Sequence, residues 1–264
     1  MNLACFRFYE ELNDFLPPER KKVLFPWEFR GSPSVKHAIE ALGVPHTEVD
    51  MILVNSQSVD FSYKIRPDDQ ISVYPVFESL DITPVSHLRE KPLQELKFIA
   101  DSHLGRLTKY LRLFGFDTHY RNSISDTEII DLAEAEKRVI LTRDKDLLKN
   151  GRVTRGYWVR SQQCEEQLGE IIVRFDLRDN FQPLTRCLEC NHTIREVTKE
   201  SVLLQLLPKT RLYYQEFWQC GNCNRIYWKG SHWERMREFV NEKLKNEGEM
   251  GGGGDGEKGR VGDR

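Results

Sequence analysis

Six cysteines occur in this 264-residue chain, and four of them fall into two Cys-x-x-Cys pairs, Cys187/Cys190 and Cys220/Cys223. Each pair puts two thiolates on one tight turn, and two such turns close a tetrahedral four-thiolate shell. That shell suits Zn2+ in a structural role, because no coordination position is left open for a substrate. Cys5 and Cys164 stand alone. Paired rather than scattered cysteines predict metal binding in a reducing compartment instead of a disulfide framework. His192 and His232 lie near the pairs, but the shell is already complete, and both are expected at the surface.

A second set of candidates is acidic. Asp101 directly follows the apolar run Leu96–Ala100, and Asp144 lies just past Val139–Thr142, with Asp146 two residues on. Asp126 and Glu128 open a helical pattern that follows Phe116–Tyr120. If these runs are strands of a parallel sheet, their C-terminal ends gather at one edge, where sites form. Gathered carboxylates repel one another unless a cation joins them, and oxygen-only ligands suit Mg2+ or Mn2+. Such an ion neutralises a phosphodiester in its transition state. The expected chemistry is therefore metal-dependent phosphodiester hydrolysis without a nucleophilic side chain. Each acid also has a local use. Asp101 and Asp144 can cap helices, Ser125-x-x-Glu128 is a capping box, Asp126 complements a helix dipole, and Asp146 can stand in solvent.

Basic residues flank these acids. Arg106, Lys109 and Arg112 recur at intervals of three beside an apolar stripe of Leu104, Leu107, Leu111 and Phe114. They would lead phosphates toward Asp101, although a solvated helix face is the plainer reading. Arg143, beside Asp144, would meet a scissile phosphate or pair with a carboxylate of the set. His103 can assist proton transfer, with a capping or surface role as its alternative. Between residues 211 and 229, Tyr213, Tyr214, Phe217, Trp218, Tyr227 and Trp228 interleave with Arg211, Arg225 and Lys229. That mixture can stack on bases and grip a single strand, or fill a small core.

The elements that must position these residues divide the chain. Residues 1–80 read as a β-rich unit: strands over 2–9, 23–29, Val49–Val54 and Ile71–Phe77, and a helix capped by Ser32 and stopped by Gly43. Val23, Phe25, Trp27 and Phe29 alternate onto one face, and Pro26 predicts an edge strand. Residues 81–95, with Pro84 and Pro92, read as a linker. From 96 to 180 strands and helices alternate: helices over 103–114, 126–137, 144–149 and 164–178, with a fourth strand at Tyr157–Arg160. Alternation of this kind predicts a parallel sheet with helices on both faces. Residues 181–245 hold the cysteine pairs, strands over Val202–Leu207 and Arg211–Gln219, and a final helix. Residues 246–264, rich in glycine and charge, are expected to be disordered.

Bulk properties set limits. The net charge of −2 does not by itself point to nucleic acid, but it is uneven: −5 over residues 1–96, +1 over 97–180, +3 over 181–240 and −1 over the tail. A polyanion would bind the back half. No apolar run approaches the roughly 20 residues of a membrane helix, so no membrane is expected. MNLACFRFYEEL shows no basic stretch followed by an apolar core, and a cytoplasmic protein is expected.

The order strand, strand, helix, strand, strand over residues 1–78 resembles a ubiquitin-like β-grasp, closest to sulphur carriers. The Gly-Gly that ends a carrier is replaced by Tyr74-Pro75-Val76-Phe77-Glu78-Ser79, which favours an interaction or RNA-cradling module. Phe98-Ile99-Ala100-Asp101, Leu104-Gly105-Arg106-Leu107, Tyr110-Leu111-Arg112-Leu113-Phe114-Gly115-Phe116-Asp117, Ser125-Asp126-x-Glu128 and Leu141-Thr142-Arg143-Asp144 closely resemble the Mut-seven C-terminal RNase domain, over about residues 96–240. The leading unit also resembles the ubiquitin-like domain often fused to that family. The resemblance implies a PIN-like nuclease fold with a trailing zinc ribbon. It also implies RNA as substrate and Mg2+ or Mn2+ held by Asp101, Asp126 or Glu128, Asp144 and Asp146. The fold class expected is thus a multidomain α+β and α/β chain: β-grasp, PIN-like parallel sheet, zinc ribbon. Two rivals to a ribonuclease are a non-catalytic RNA- or ribosome-binding protein, and a scaffold whose β-grasp unit recruits a protein partner.

Overall fold

Alternating burial builds the first sheet. In β1 (Asn2–Phe8), Ala4, Phe6 and Phe8 point into a core while Arg7 faces out. β2 (Phe25–Phe29) pairs antiparallel with β1 and forms a sheet edge, where Pro26, lacking an N–H, is tolerated. α1 (Val35–Ala41) is capped by Ser34, whose Oγ accepts from His37 N at 3.3 Å. The expected cap, Ser32, lies two residues too early: Ser34 bridges to Lys64, which keeps the chain extended past Pro33. Gly43, at φ +100, ends that helical segment as expected. β3 (Val49–Val54), β4 (Gln57–Val59) and β5 (Gln70–Pro75) complete a mixed sheet in the order β2-β1-β5-β3-β4, with β1 and β5 parallel. Phe6, Ile52, Ile71 and Val73 of the sheet are wholly buried in one core with Ile39 of α1. Each such side chain stabilises the fold by about 1.5–3 kcal/mol.

This computed structural model describes residues 1–75, 96–231, 233–235, 237 and 238. The expected linker over 81–95, the end of the strand at 76–77, His232, the end of the final helix and the expected disordered tail over 246–264 lie outside the described residues. The chain divides into two compact units, Met1–His192 and a second beginning at Thr193.

The first unit also contains a parallel sheet. Its elements are β6 (Phe98–Ala100), α2 (Gly105–Leu113), β7 (Thr118–His119), α3 (Asp126–Glu136), β8 (Val139–Thr142), α4 (Lys145–Leu148), β9 (Gly156–Trp158) and α5 (Cys164–Arg174). The strand order is β7-β6-β8-β9, every pair parallel. All four residues of β8 are buried, the pattern of a central parallel strand. Ile99 and Ile140, register partners, pack against Ile129 and Ile130 of α3 and Leu147 and Leu148 of α4. Phe98 points the other way and meets Phe116 and, just past α5, Phe175 at a ring separation of 5.4 Å. Both faces are thereby covered, and the strand ends remain for a site.

The second unit departs from expectation. β10 (Ile194–Val197), α6 (Lys199–Val202), α7 (Pro208–Tyr213), β11 (Phe217–Cys220) and β12 (Ile226–Tyr227) form an antiparallel sheet, β10-β11-β12, with a helical excursion between its first two strands. The strands expected at Val202–Leu207 and Arg211–Gln219 are therefore replaced by helix and turn over most of their length. Pro208 at the first helical position starts α7, and only Val202 and Leu206 of the apolar run are buried, beside Phe217. Among the described residues no helix is long and apolar enough to cross a membrane.

Candidate functional site

β6 and β8 are hydrogen-bonded neighbours, so Asp101, directly after β6, and Asp144, two residues past β8, leave the sheet at the same edge. Asp101 N donates to Leu141 O at 3.0 Å, fixing the first acid to the end of the second strand. Its side chain is buried. Thr142 Oγ1 donates to Asp101 Oδ2 at 2.9 Å, and Ser102 Oγ donates to Oδ1 at 3.0 Å. The same Thr142 Oγ1 accepts from Asp144 N at 2.9 Å. One hydroxyl thus joins the Asp101 carboxylate to the backbone N–H of Asp144. Asp144 caps α4 by accepting from Asp146 N through Oδ1 at 2.8 Å, while its side chain stands in solvent. The cap reading of Asp144 holds, and it engages one oxygen of the carboxylate.

The other acids are placed differently. Glu128 closes the capping box with Ser125 and pairs with Arg121. The Ser125 backbone N–H first of all, then Arg121 and the Ser125 hydroxyl, hold its carboxyl down to about 2. Asp126, at the first position of α3, is exposed and has no hydrogen-bond or ion-pair partner among the described residues. Asp146 is 87% exposed and accepts from Lys149 Nζ at 3.0 Å, the solvated reading. The five acids do not form one cluster. Among the described residues, the four cysteines are the only group of three or more histidine, cysteine or carboxylate ligands close enough together to hold an ion.

The basic residues split along α2. Arg106 and Lys109 are exposed and pair with Glu165 at 3.4 Å and Glu189 at 2.9 Å. Exposed pairs of this kind are worth little, so either cation is available to a phosphate. Arg112 does not share their face. It is 3% exposed, and its guanidinium donates to Thr118 O, Leu188 O and Glu189 O, each at 2.9 Å. A three-residue step falls about 60° short of a full helical turn, and two steps rotate Arg112 into the protein. The expectation that it binds RNA is corrected on that ground. Arg143 is half-buried and pairs with no carboxylate among the described residues, which leaves the phosphate reading open. His103 is exposed.

The cysteine turns repeat one design. Asn191 N donates to Cys187 O at 3.0 Å, and Cys187 N to His192 O at 2.8 Å; Asn224 N donates to Cys220 O at 3.1 Å, and Cys220 N to Arg225 O at 2.9 Å. Asn191 and Asn224 both adopt positive φ, +64° and +57°, a conformation asparagine tolerates better than most residues. Asn222 N and Cys223 N point at Cys220 Sγ from 3.4 and 3.5 Å. The four Sγ atoms lie within 4.8 Å of one another, which fits four thiolates about one tetrahedral ion. Cys164 stands outside this group: burial, with Glu165 beside it, pushes its thiol up to about 12, so it stays protonated.

Several residues of consequence escaped sequence reasoning. Asn191 also accepts from Thr118 N at 3.1 Å and donates to Asp117 Oδ1 at 2.7 Å, tying the first cysteine turn to β7. Burial alone would raise the Asp117 carboxyl, but hydrogen bonds from Arg138 and Asn191 and the charges of Arg138 and Arg186 hold it below the usual range. The available signal was an asparagine directly after each cysteine pair. For Thr142 the signal was a lone polar residue ending an apolar strand.

With this geometry in place, comparison with known proteins is informative. The family model described as Mut7-C RNAse domain matches residues 96–240, and the one described as Mut7-C ubiquitin matches residues 1–81. No curated protein and no solved structure gives a match.

Proposed function

Because this chain belongs to the Mut7-C RNase domain family, we propose that it is a metal-dependent ribonuclease. RNA phosphodiesters would be hydrolysed at the C-terminal edge of the parallel sheet, in a PIN-like arrangement. The observation that carries the reading is the Thr142 hydroxyl shared by Asp101 and Asp144. Two carboxylates that follow adjacent strands, with hydroxyls fixing the buried one, would offer a hard-oxygen donor set. Mg2+ needs only one or two carboxylates when substrate phosphate supplies further oxygens, so the residues present fit Mg2+ or Mn2+. When bound, the ion would supply charge neutralisation for the phosphodiester and water acidification.

The remaining work falls to the chain. Thr142 and Ser102 hold Asp101 in one orientation. Arg143, open to a phosphate, would orient the scissile group, and Arg106 and Lys109 would exchange their glutamate partners for backbone phosphates. Asp126, exposed and unengaged, is the better candidate than Glu128 for a third acidic contribution from the start of α3, with Asp146 on the solvent side. Cys187, Cys190, Cys220 and Cys223 would hold a structural Zn2+, and the exposed Tyr213 together with Trp218 and Lys229 would contact the strand. A reducing, cytoplasmic setting agrees with the Cys-x-x-Cys spacing.

Asp101→Asn tests this reading. Cleavage of RNA in Mn2+ should fall by two or more orders of magnitude, on the scale of losing a transition-state contact of about 2.7–4 kcal/mol, while RNA retention in a gel shift persists. A wild-type protein that binds RNA yet never cuts it would replace the enzyme with an RNA- or ribosome-binding module.

A further inference from the structure

The β-grasp sheet and the parallel sheet belong to one compact unit, and the contacts between them converge on β9. Trp158 N donates to Glu48 Oε1 at 2.7 Å, and Glu48 is 1% exposed. Trp158 is the register partner of Thr142, and its indole Nε1 donates to Arg143 O at 3.2 Å. Lys145 Nζ rests 3.9 Å from the Trp158 ring and 4.8 Å from that of Phe15, itself 4.9 Å from Trp158. On either side of β9, His46 Nε2 meets Val153 O at 2.7 Å and Arg160 Nε donates to Asp14 Oδ2 at 3.1 Å. The segment Arg143-Asp144-Lys145 therefore leans on one tryptophan, and that tryptophan hangs on a glutamate of the N-terminal domain.

We propose that the N-terminal domain is a working part of the acidic edge, in which Glu48, acting through Trp158, is a positioning residue for Asp144. The proposal rests on the nuclease reading for its catalytic consequence only; the mechanical link stands on the contacts above. The choice of side chain supports it. Burial raises the Glu48 carboxyl despite the charges of Arg174 and Arg160. Its Oε2 and the Arg160 Nη2 facing it at 3.7 Å both lack a hydrogen-bond partner. A buried carboxylate in so loose a pair is a poor way to stabilise a domain contact, where apolar residues would serve as well or better. What apolar residues could not supply is an acceptor for the strand-end N–H of Trp158. This assigns the ubiquitin-like domain a role inside the molecule, distinct from recruiting a partner.

Amide exchange of the full chain tests the proposal, read over residues 141–149 against the rest of the parallel sheet. Glu48→Ala should speed exchange there about five- to tenfold, the scale of one lost hydrogen bond. Glu48→Gln, which keeps the acceptor, should stay near wild type. If RNA cleavage is present, Glu48→Ala should lower kcat with little change in KM, because Arg106 and Lys109 are untouched. Should Glu48→Ala fail to fold, Trp158→Phe decides, since it keeps a ring under Lys145 and removes only the donor to Arg143 O. Selective loosening of 143–146 in that variant supports the link. Wild-type exchange over 141–149 in a folded Glu48→Ala, or in Trp158→Phe, overturns it. Loosened exchange in a protein that cuts no RNA retains the link and removes the nuclease reading instead.

Discussion

Thr142 Oγ1 donates to Asp101 Oδ2 at 2.9 Å inside a wholly buried environment, and the same oxygen accepts the backbone N–H of Asp144. The hydroxyl has one proton, and it goes to Asp101. Thr142→Val, close in shape, removes both functions and leaves the buried acid with an unmet acceptor. A loss of about 1–3 kcal/mol in stability is expected, measured by urea unfolding. RNA cleavage should fall by more than that loss explains under conditions where the variant is fully folded. Thr142→Ser should restore most of both.

Asp126 and Glu128 occupy the same turn but differ in their partners: Glu128 is held by Ser125 and Arg121, and Asp126 is exposed. The Glu128 carboxyl is held down to about 2 in the folded state, first by the Ser125 N–H and then by Arg121, against an unfolded value near 4.3. A depressed carboxylate adds stability above its unfolded value and loses it as pH falls through the folded one. The start of α3 should therefore loosen between about pH 4 and pH 2, as followed by the amide signals of residues 126–130. Glu128→Gln should loosen the same turn at pH 7 and cut RNA nearly as wild type does. Asp126→Asn should do the reverse: an intact helix, and cleavage reduced about tenfold or more. The opposite pattern would assign the third acidic contribution to Glu128.

Arg112 links the first cysteine turn to the nuclease helix. The carbonyls it holds, Leu188 O and Glu189 O, lie in the chain between the two cysteines of the turn, the kind of outer contact that orients metal ligands. Arg112→Leu strands three carbonyls and should weaken metal retention about 10–100-fold. The readout is transfer of Zn2+ from the purified protein to a chromogenic chelator. Arg112→Lys can still reach the two carbonyls that Nη1 holds but loses the planar fork whose Nε also engages Thr118 O, and should fall in between. Retention equal to wild type in the leucine variant would show that the turn is self-supporting.

How much of this was legible beforehand depends on the range of the signal. The cysteine turns and the acids at strand ends were readable because both rest on short spacings and a periodic pattern. Parallel topology put Asp101 and Asp144 at one edge; that their strands are neighbours had to come from the structure. Arg112 was misplaced because a three-residue spacing looks like a shared face until its angular drift is followed over two steps. Val202–Leu207 was misread because an apolar run does not declare its period, and the proline at 208 marks a helix start only once the strands flanking it are known. Glu48 could not be found at all: its partner is 110 residues away, and no local pattern records such a contact.

Gly105 gives a last case, where the sequence shows a glycine and only the fold shows its reason. Its backbone is ordinary helix, with φ −59°, so conformational freedom is not what the position requires. What it requires is room. A Cβ added there would run into the Tyr120 hydroxyl, which donates to Ser102 O at 2.9 Å next to Asp101. Gly105→Ala gains about 0.5–1 kcal/mol of helix propensity and must displace the tyrosine ring to do so. Tyr120 is part of the wall between the ends of β6 and β7, and its displacement frees Ser102, which holds Asp101 Oδ1. The variant is therefore expected to unfold at nearly the wild-type denaturant concentration yet cleave RNA several-fold more slowly. A single Gly105→Ala variant with full activity would mean that the ring moves without consequence for Asp101.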